Sequence, residues 1–306
     1  MFEFRLRRSR FVCVVRCCAG SGLMGDGRAD FTAVSANHYT FEQLASIYNE
    51  SRVDYIVPMP MNAKRMEEYV LQYDIDLGLS VVALNQDGQV AGVGMLGMRG
   101  NRAWITRLGV IPTRRGRGIG QFIVEHLLEN AREGGAVRAQ LEVIEGNEPA
   151  LCLFAKLGFT AKRRLLVVRR PPGKPETLAN SVETTELNMD GIREVLRGHD
   201  AVASWLDETP SLLNAGNVEG LRVQTADGMS GSIVYCSNVF QLSHLVVDAP
   251  NGDPELARAT LVALHNRYPR RDTKLENLPA DDPLWGVYQS VGYSETFSRV
   301  EMIKAF

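Results

Sequence analysis

The second half of the chain repeats the pattern of the first half. Four features recur in the same order in both halves: an Asp-Gly turn signal, a proline, an aromatic residue and a Gly-aromatic pair. In the first half they are Asp87-Gly88, Pro112, Phe154 and Gly158-Phe159. In the second half they are Asp227-Gly228, Pro250, Tyr288 and Gly292-Tyr293. A pattern that recurs in this order is typical of an internal duplication. Because 306 residues also exceed the length of one ordinary domain, the sequence predicts two related domains.

Each half alternates segments of strand and helix character. Residues 31–50 read as a strand and then a helix, with Thr40 as the N-cap and Gln43 as its capping-box partner. Helical spacing returns between Met61 and Tyr73. A run of strands joined by tight turns follows, and the last of them, residues 103–111, leads directly into a glycine-rich stretch. This alternation favours an α/β fold.

Composition suggests where the domains begin and end. Arginines crowd the first 23 residues, so residues 1–29 are predicted to be a disordered basic tail; an organellar presequence and a true start at Met24 are the alternatives. Residues 171–180 are rich in proline and charge and are predicted to be a linker. Residues 30–170 and 181–306 remain as the two domains.

The bulk properties of the chain argue against several classes of protein. The net charge is only -2, which does not favour a nucleic-acid partner, and no apolar run approaches the roughly 20 residues of a membrane helix. The odd number of cysteines, at Cys13, Cys17, Cys18, Cys152 and Cys236, does not suggest a disulfide framework. We therefore expect a cytoplasmic protein without a metal site.

The stretch RRGRGIGQFIVEHLLENA, residues 114–131, joins a strand to a helix through three glycines. The first turn of a helix leaves about four N–H groups unpaired, and they carry roughly half a positive charge. Glycine lets the backbone approach an anion closely. The stretch lacks both the Gly-Lys-Ser/Thr of a P-loop and the Gly-x-Gly-x-x-Gly of a dinucleotide fold, so it predicts a phosphate site of another kind.

The pattern Arg-x-x-Gly-x-Gly, formed by Arg115, Gly118 and Gly120, resembles the GCN5-related N-acetyltransferase (GNAT) family. The preceding strand ITRLGVIP fits the family, and so do five residues of a later run, Asn147, Ala150, Leu153, Gly158 and Phe159. The resemblance covers roughly residues 30–170. It implies a tandem of two GNAT-like domains, each a mixed, mostly antiparallel sheet flanked by helices, of which the second is degenerate.

The resemblance also implies acetyl-CoA as the co-substrate. The residues expected to hold its pyrophosphate are Arg115, Gly116, Arg117, Gly118, Ile119, Gly120 and Gln121. The residues expected near the thioester and the pantetheine arm are Leu108, Gly109, Val110, Asn147 and Phe154. In the second half, NGDPELA replaces this loop, and Asp253 is expected to cap the helix there and to exclude a pyrophosphate.

Acetyl transfer to an amine needs a base and a way to release the thiolate. Glu142 is the candidate base, with a surface carboxylate or an arginine partner as the alternative. The family usually has a tyrosine where this chain has Phe154, which carries no hydroxyl. A CoA thiol with a pKa of about 8.5 can leave without that donor, and Tyr288 of the second half is expected to be a structural remnant.

The predicted function is an acetyl-CoA-dependent N-acetyltransferase that acts on a primary amine of a small molecule or peptide, as a monomer or homodimer. Residues 55–66, which contain adaptable methionines, are expected to contact the acceptor. A non-catalytic acyl-CoA sensor is the alternative, because Phe154 and a degenerate second half would both suit it. A nucleic-acid module that uses RRGRG is less compatible with the near-neutral chain.

Overall fold

The computed structural model describes residues 31–174, 178 and 181–306. The predicted basic tail, with Cys13, Cys17 and Cys18, lies outside the described residues, as does part of the predicted linker. Within the described part of the chain, no helix is both long and apolar enough to span a membrane.

The described residues form twelve strands and eight α-helices. The strands are β1 (Phe31–Ser35), β2 (Val81–Asn85), β3 (Val90–Arg99), β4 (Arg102–Val110), β5 (Arg138–Ile144), β6 (Thr160–Arg170), β7 (Val182–Glu186), β8 (Val218–Thr225), β9 (Ser230–Ser237), β10 (Gln241–Asp248), β11 (Asp272–Pro279) and β12 (Ser294–Ala305). The helices are α1 (Phe41–Glu50), α2 (Ala63–Gln72), α3 (Ile119–Glu133), α4 (Glu148–Lys156), α5 (Met189–Val195), α6 (Thr209–Asn214), α7 (Pro254–Arg267) and α8 (Trp285–Ser290).

All twelve strands belong to one sheet, in the order β1-β2-β3-β4-β5-β12-β6-β11-β10-β9-β8-β7. The order is symmetric about its centre, because each strand of the first half has its counterpart six strands later at the mirrored place. Neighbouring strands are antiparallel except β4 with β5 and β10 with β11. The predicted α/β class with a mixed, mostly antiparallel sheet is therefore confirmed, and the two halves share one continuous sheet.

The centre of the sheet is built by strand exchange. β12, from the end of the chain, pairs with β5 of the first half, and β6 pairs with β11 of the second half. β6 and β12 also pair with each other. The division at residues 171–180 remains a prediction, but each half supplies one strand to the other, so neither half completes its sheet alone.

Two hydrophobic layers cover the two faces of the first half. On one face, α3 and α4 pack against the sheet through a cluster that includes Ile123, Leu127 and Phe154. On the other face, α1 and α2 pack through a cluster that includes Tyr48 and Trp104. Trp205 of the second half joins the latter cluster and stacks on Trp104, with ring centroids 5.8 Å apart, so the α1/α2 layer depends on both halves.

Local signals in the sequence match the structure where they concern short-range hydrogen bonds. Thr40 and Gln43 form the predicted capping box at α1. Gly88 adopts a φ of 73° in the turn between β2 and β3, and Gly158 adopts a φ of 86° after α4. Each signal depends on neighbours within a few residues, which explains why the sequence alone revealed it.

Candidate active site

Strands β4 and β5 form a fork. Their parallel pairing covers only three residues of each strand, from Arg102 to Trp104 on β4 and from Arg138 to Gln140 on β5, although both strands continue beyond these pairs. β4 also bulges against β3, and Arg107 in the bulge has a φ of 51°. The divergence leaves the backbone of β4 without a strand partner on its β5 side, so a ligand can reach the backbone there.

A cavity of about 250 Å³ occupies the fork. Its wall includes Leu108, Glu142, Asn147 and Phe154 among the predicted site residues, together with Tyr55 and Met59 from the segment expected to contact the acceptor. The second half adds Leu206, Glu276 and Arg299. The cavity therefore joins residues from both halves of the chain at the point where the strands separate.

The glycine-rich loop leads to the uncapped end of α3. Gly118 occupies the N-cap position at a φ of 85° and has no side chain to bond the first turn. In the described part of the chain, the N–H groups from Gly116 to Gln121 donate to no backbone carbonyl. The glycine side of the loop is open, because a Cβ on Gly116 or Gly118 would meet nothing within 4 Å. These features match an anion site at a helix N-terminus.

The side chains of three predicted loop residues, Arg115, Ile119 and Gln121, contact other parts of the protein. The guanidinium of Arg115 pairs with both carboxylate oxygens of Asp54, at 2.7 and 2.8 Å, and so fixes the segment after α1 to the loop. Ile119 is buried in the core. Gln121 bonds Glu125 and accepts from Lys156, so these three residues offer a ligand mainly their N–H groups.

Gly109 has a packing reason to be glycine. A Cβ there would lie 2.0 Å from Oγ of Ser51, at the end of α1. Ser51 in turn donates to the carbonyl of Tyr48 and accepts Arg115 through its own carbonyl. Any side chain at Gly109 would displace Ser51 and the end of α1 from β4, so glycine allows these two elements to approach closely.

Glu142 points toward the α1/α2 face of the sheet. Its Oε2 accepts a hydrogen bond of 2.7 Å from the indole of Trp104, and its Oε1 is buried without a partner among the described residues. Burial raises the pKa of Glu142 to about 7, against the lowering effect of the Trp104 bond. The side chain forms no ion pair in the described structure, so neither a surface carboxylate nor an arginine partner describes it.

Asn147 and Phe154 lie on the side of the cavity formed by α4. The carbonyl oxygen of Asn147 caps α4 through the N–H of Ala150, at 3.4 Å, and its amide donates to the hydroxyl of Tyr55, at 3.3 Å. Phe154 is buried and packs edge-on against Phe159. Asn147 is thus a helix cap as well as a cavity residue, and Phe154 contributes only an apolar wall.

Several cavity residues were not predicted from the sequence. Arg107, Tyr69 and Trp104 line the cavity from the first half, and Glu276 and Arg299 line it from the second. Only the β4 residues stand near a recognised motif, and nothing in the local sequence marks Glu276 or Arg299. Pairing across the exchanged strands brings them to the fork, and this pairing has no short-range signal.

Glu276 carries a different charge state from Glu142. Burial would raise its pKa, but the charges of Arg299 and Lys274 and their hydrogen bonds lower it to about 2. Arg299 also donates to the amide oxygen of Asn277, at 2.7 Å. Glu276 and Arg299 therefore form a charged pair in the wall of the cavity, whereas Glu142 has no ion-pair partner in the described chain and its pKa is raised by burial.

The equivalent region of the second half has a fork but a closed helix end. β10 and β11 pair in parallel over three residues only, from Gln241 to Ser243 on β10, and a cavity of about 530 Å³ lies beside them. Asp253 caps α7 through the N–H groups of two residues, as predicted. Tyr288 is buried against Tyr293, so it packs within its own half.

No group of three or more His, Cys, Asp or Glu side chains in the described ranges is arranged to hold a metal ion. The polar groups at the fork are instead two carboxylates, those of Glu142 and Glu276, together with several aromatic rings and guanidinium groups. The arrangement suits proton transfer and the binding of charged ligands.

A family model for the acetyltransferase (GNAT) family matches residues 43–159. A streptothricin acetyltransferase from Streptomyces lavendulae is 36% identical over 80 residues, which are 26% of this chain and 42% of that protein. The chain thus spans less than half of the length of the curated relatives that it matches. Residues 43–159, which the family model matches, contain the fork between β4 and β5, the glycine-rich loop and Glu142.

Solved structures resemble both halves together. A GCN5-related N-acetyltransferase from Sphaerobacter thermophilus has a TM-score of 0.65 at 19% identity, over 92% of this chain and 96% of that chain. A tandem GNAT protein from the clavulanic acid biosynthesis pathway has a TM-score of 0.62 at 16% identity, over 90% and 98% of the two chains. At such identities the likeness concerns the fold, and it confirms the predicted pair of GNAT-like domains.

Proposed function

Because a model for the GNAT family matches residues 43–159, we propose that this protein transfers an acetyl group from acetyl-CoA to a primary amine. The observation that carries the proposal is the open fork between β4 and β5, with the uncapped end of α3 beside it. A fork gives a thioester access to unpaired backbone, and a free helix end binds a diphosphate. Both features occur together only in the first half.

The residues that would hold acetyl-CoA are those of the loop and of β4. The N–H groups from Gly116 to Gln121 are free of backbone partners in the described chain and converge at the positive end of α3. Gly109 permits close contact with α1, and Val110 accepts Arg115 through its carbonyl. When bound, acetyl-CoA supplies a reactive thioester, and these residues orient it toward the fork.

Glu142 is the proposed general base. An amine attacks only in its neutral form, and a base with a pKa close to the working pH is efficient. Burial raises the pKa of Glu142 to about 7, and its unpartnered Oε1 is available to a proton. The amine nitrogen bonds the acetyl carbon, the carbon–sulfur bond breaks, and Glu142 takes the amine proton directly or through water.

Release of the thiolate does not use Phe154. Its ring offers the cavity a wall without a donor, and a thiol with a pKa of about 8.5 is a competent leaving group. The thiolate then takes a proton from water. The remaining parts of the proposal are a small-molecule or peptide acceptor, a cytoplasmic setting and a monomeric or homodimeric state.

Two measurements on the full chain test the proposal. Calorimetric titration with acetyl-CoA is expected to show one site, and release of free thiol in the presence of a panel of amines is expected to show turnover. Binding without turnover for every amine would contradict the enzyme and support the acyl-CoA sensor. The absence of binding would contradict both.

A further inference from the structure

We infer that the acceptor amine also carries an anionic group, a carboxylate, which Arg107 binds inside the cavity. The inference rests on the proposed function, because it names the acceptor class of the same site. It makes Arg107 a specificity-determining residue and predicts small amino acids as substrates.

Arg107 is a guanidinium without a counter-ion. It donates to the hydroxyl of Tyr48, at 2.7 Å, and lies 3.9 Å from the ring centroid of Tyr69 and 5.0 Å from that of Tyr48. Its Nε is buried with no acceptor, and no carboxylate in the described chain forms an ion pair with it. Aromatic faces compensate only part of the loss of hydration, so the group retains donors for an anion.

Other arginines of the sheet form ion pairs with acidic side chains. Arg99 contacts Glu208 at 3.1 Å, and Arg299 pairs with Glu276. Arg107 lines the fork and forms no ion pair in the described chain, although the charge of Glu276 in the same cavity wall acts on it. Since an uncompensated buried charge is strongly destabilising, the missing partner is expected to arrive with the ligand.

Glu142 is the group expected to contact the amine of the acceptor. Its Oε1 is buried and unpartnered, and Glu142 lines the same cavity as Arg107. An amino acid satisfies both groups at once, with its amine toward Glu142 and its carboxylate toward Arg107. The aromatic rings of Tyr69 and Trp104 lie in the same wall.

The anions of the co-substrate do not account for Arg107. Val110 ends β4 three residues beyond it, or about 10 Å at the rise of a strand, and the glycine-rich loop begins further on. The side chain of Arg107 turns toward Tyr48 and Tyr69, which belong to the α1/α2 layer. This layer lies opposite the one that contains α3, so Arg107 faces the acceptor side of the fork.

A carboxylate suits this guanidinium better than a spherical anion. The planar guanidinium presents parallel N–H donors that match the two oxygens of a carboxylate. Nε and the second terminal nitrogen of Arg107 make no hydrogen bond in the described structure. They form the edge of the guanidinium that a bidentate carboxylate uses, and because Nε is buried, the guanidinium must turn toward the cavity to present both donors.

The first experiment compares L-alanine with L-alaninamide as acceptors, by release of free CoA thiol. The amide has the less basic amine, so amine ionisation alone would favour it. We expect kcat/KM to be roughly 10-fold or more higher for L-alanine, as loss of a charged hydrogen bond implies. Arg107→Met should bring the ratio close to one, whereas Arg169→Met, which removes a guanidinium from β6 outside the cavity wall, should leave it unchanged.

The outcomes separate this inference from the proposed function. Turnover of alanine and alaninamide at equal rates would overturn the inference and leave the acetyltransferase standing. An unchanged ratio in Arg107→Met would also overturn it. Faster turnover of O-phosphoethanolamine than of any amino acid would overturn the assignment to a carboxylate.

A binding measurement keeps the inference testable without turnover. Calorimetry with N-acetyl-L-alanine and N-acetyl-L-alaninamide, each in the presence of coenzyme A, is expected to show binding of the acid only, and loss of that binding in Arg107→Met. Arg107→Lys, which keeps the charge but not the fork of donors, should bind the acid weakly and serves if the methionine variant does not fold. Equal binding of acid and amide would overturn the inference.

Discussion

The two halves of the molecule have the same order of elements but opposite helix ends. α3 begins after Gly118, which has no capping side chain. α7 begins after Asp253, whose carboxylate accepts from the N–H groups of Glu255 and Leu256. A capping carboxylate occupies the donors and the partial positive charge that an anion would need. The N-cap residue is therefore one difference between the two helix ends, and the alternating glycines before α3, which the loop before α7 lacks, are the other.

The same contrast extends to two partly buried glutamates. Glu142 and Glu276 each lie 12 residues before the aromatic residue of their half, Phe154 and Tyr288. The pKa of Glu142 is raised to about 7 by burial, whereas basic neighbours outweigh burial and lower the pKa of Glu276 to about 2. The pKa values at these equivalent positions thus shift in opposite directions because only Glu276 forms ion pairs in the described chain, with Arg299 and Lys274.

Among the substitutions considered, Gly118→Glu should have the largest effect, a loss of affinity for acetyl-CoA. Gly118→Glu introduces a negative charge at the end of α3 and forces a side chain into a φ of 85°. We expect the Kd for acetyl-CoA to rise roughly 100-fold, about 2.7 kcal/mol, as measured by calorimetry. Unchanged affinity would show that the cofactor binds elsewhere.

Gly228→Glu is the matched control for this substitution. Gly228 has a φ of 87° and open space around it, like Gly118, but it lies in the turn between β8 and β9. The variant should suffer the same backbone strain and retain the affinity for acetyl-CoA. A comparable loss of affinity in both variants would point to global destabilisation instead of a local effect.

Substitution of Glu142 by glutamine should lower kcat/KM roughly 100-fold, the usual contribution of a general base. In the unaltered protein, kcat/KM should rise with pH as Glu142 loses its proton near pH 7. The variant should lack this step. A pH–rate profile of both proteins is the measurement, and an identical step in the variant would exclude Glu142 as the base.

The same variant should be more stable than the unaltered protein at alkaline pH. A carboxyl with a pKa raised from 4.5 to about 7 binds its proton more tightly in the folded state, so folding stability falls as pH rises between these values. A shift of that size corresponds to at most about 3 kcal/mol. In denaturant unfolding, Glu142→Gln should have a higher free energy of unfolding than the unaltered protein at pH 8 and an equal one at pH 4.

Removal of the cap of α7 should have a smaller effect, confined to stability. Asp253→Ala leaves the N–H groups of Glu255 and Leu256 without their acceptor and should lower the free energy of unfolding by about 1 kcal/mol. The stoichiometry of acetyl-CoA should stay at one, because the loop before α7 lacks the alternating glycines. A second calorimetric site would show that Asp253 alone prevents binding there.

The smallest expected effect is that of a hydroxyl at Phe154. Phe154→Tyr restores the residue that the family usually has, at a position in the cavity wall, and should leave kcat/KM within roughly 10-fold of its value or raise it. Steady-state kinetics measure this. A complete loss of activity would show that the packing against Phe159 tolerates no polar group.

The duplication, the capping box at Thr40 and the cap at Asp253 could be predicted from the sequence, because each depends on patterns a few residues long. Glu142 could also be selected as a candidate base from its place on a strand. Its pKa did not, since that depends on burial and on Trp104, from another strand. The side-chain role of Arg115 as a partner of Asp54 was likewise missed, because those residues are far apart in the chain.

Strand exchange was the largest feature that the sequence did not reveal. β12 lies beside β5 and brings Arg299 to the cavity, and β11 brings Glu276. Two strands with similar patterns can exchange places in a duplicated sheet without any change in local hydrogen bonding. Which copy pairs with which is decided by packing across the whole sheet.

The sequence by itself determined the two α/β halves, the glycine-rich helix end of the first and the capped helix end of the second, because turns, caps and periodicity depend on neighbouring residues. Only the tertiary structure decided that both halves form one sheet, that Glu142 is buried beside Trp104, and that Arg107 faces the fork without a counter-ion. Burial and charge pairing depend on residues that are distant in the chain, and these contacts set the chemistry of the site.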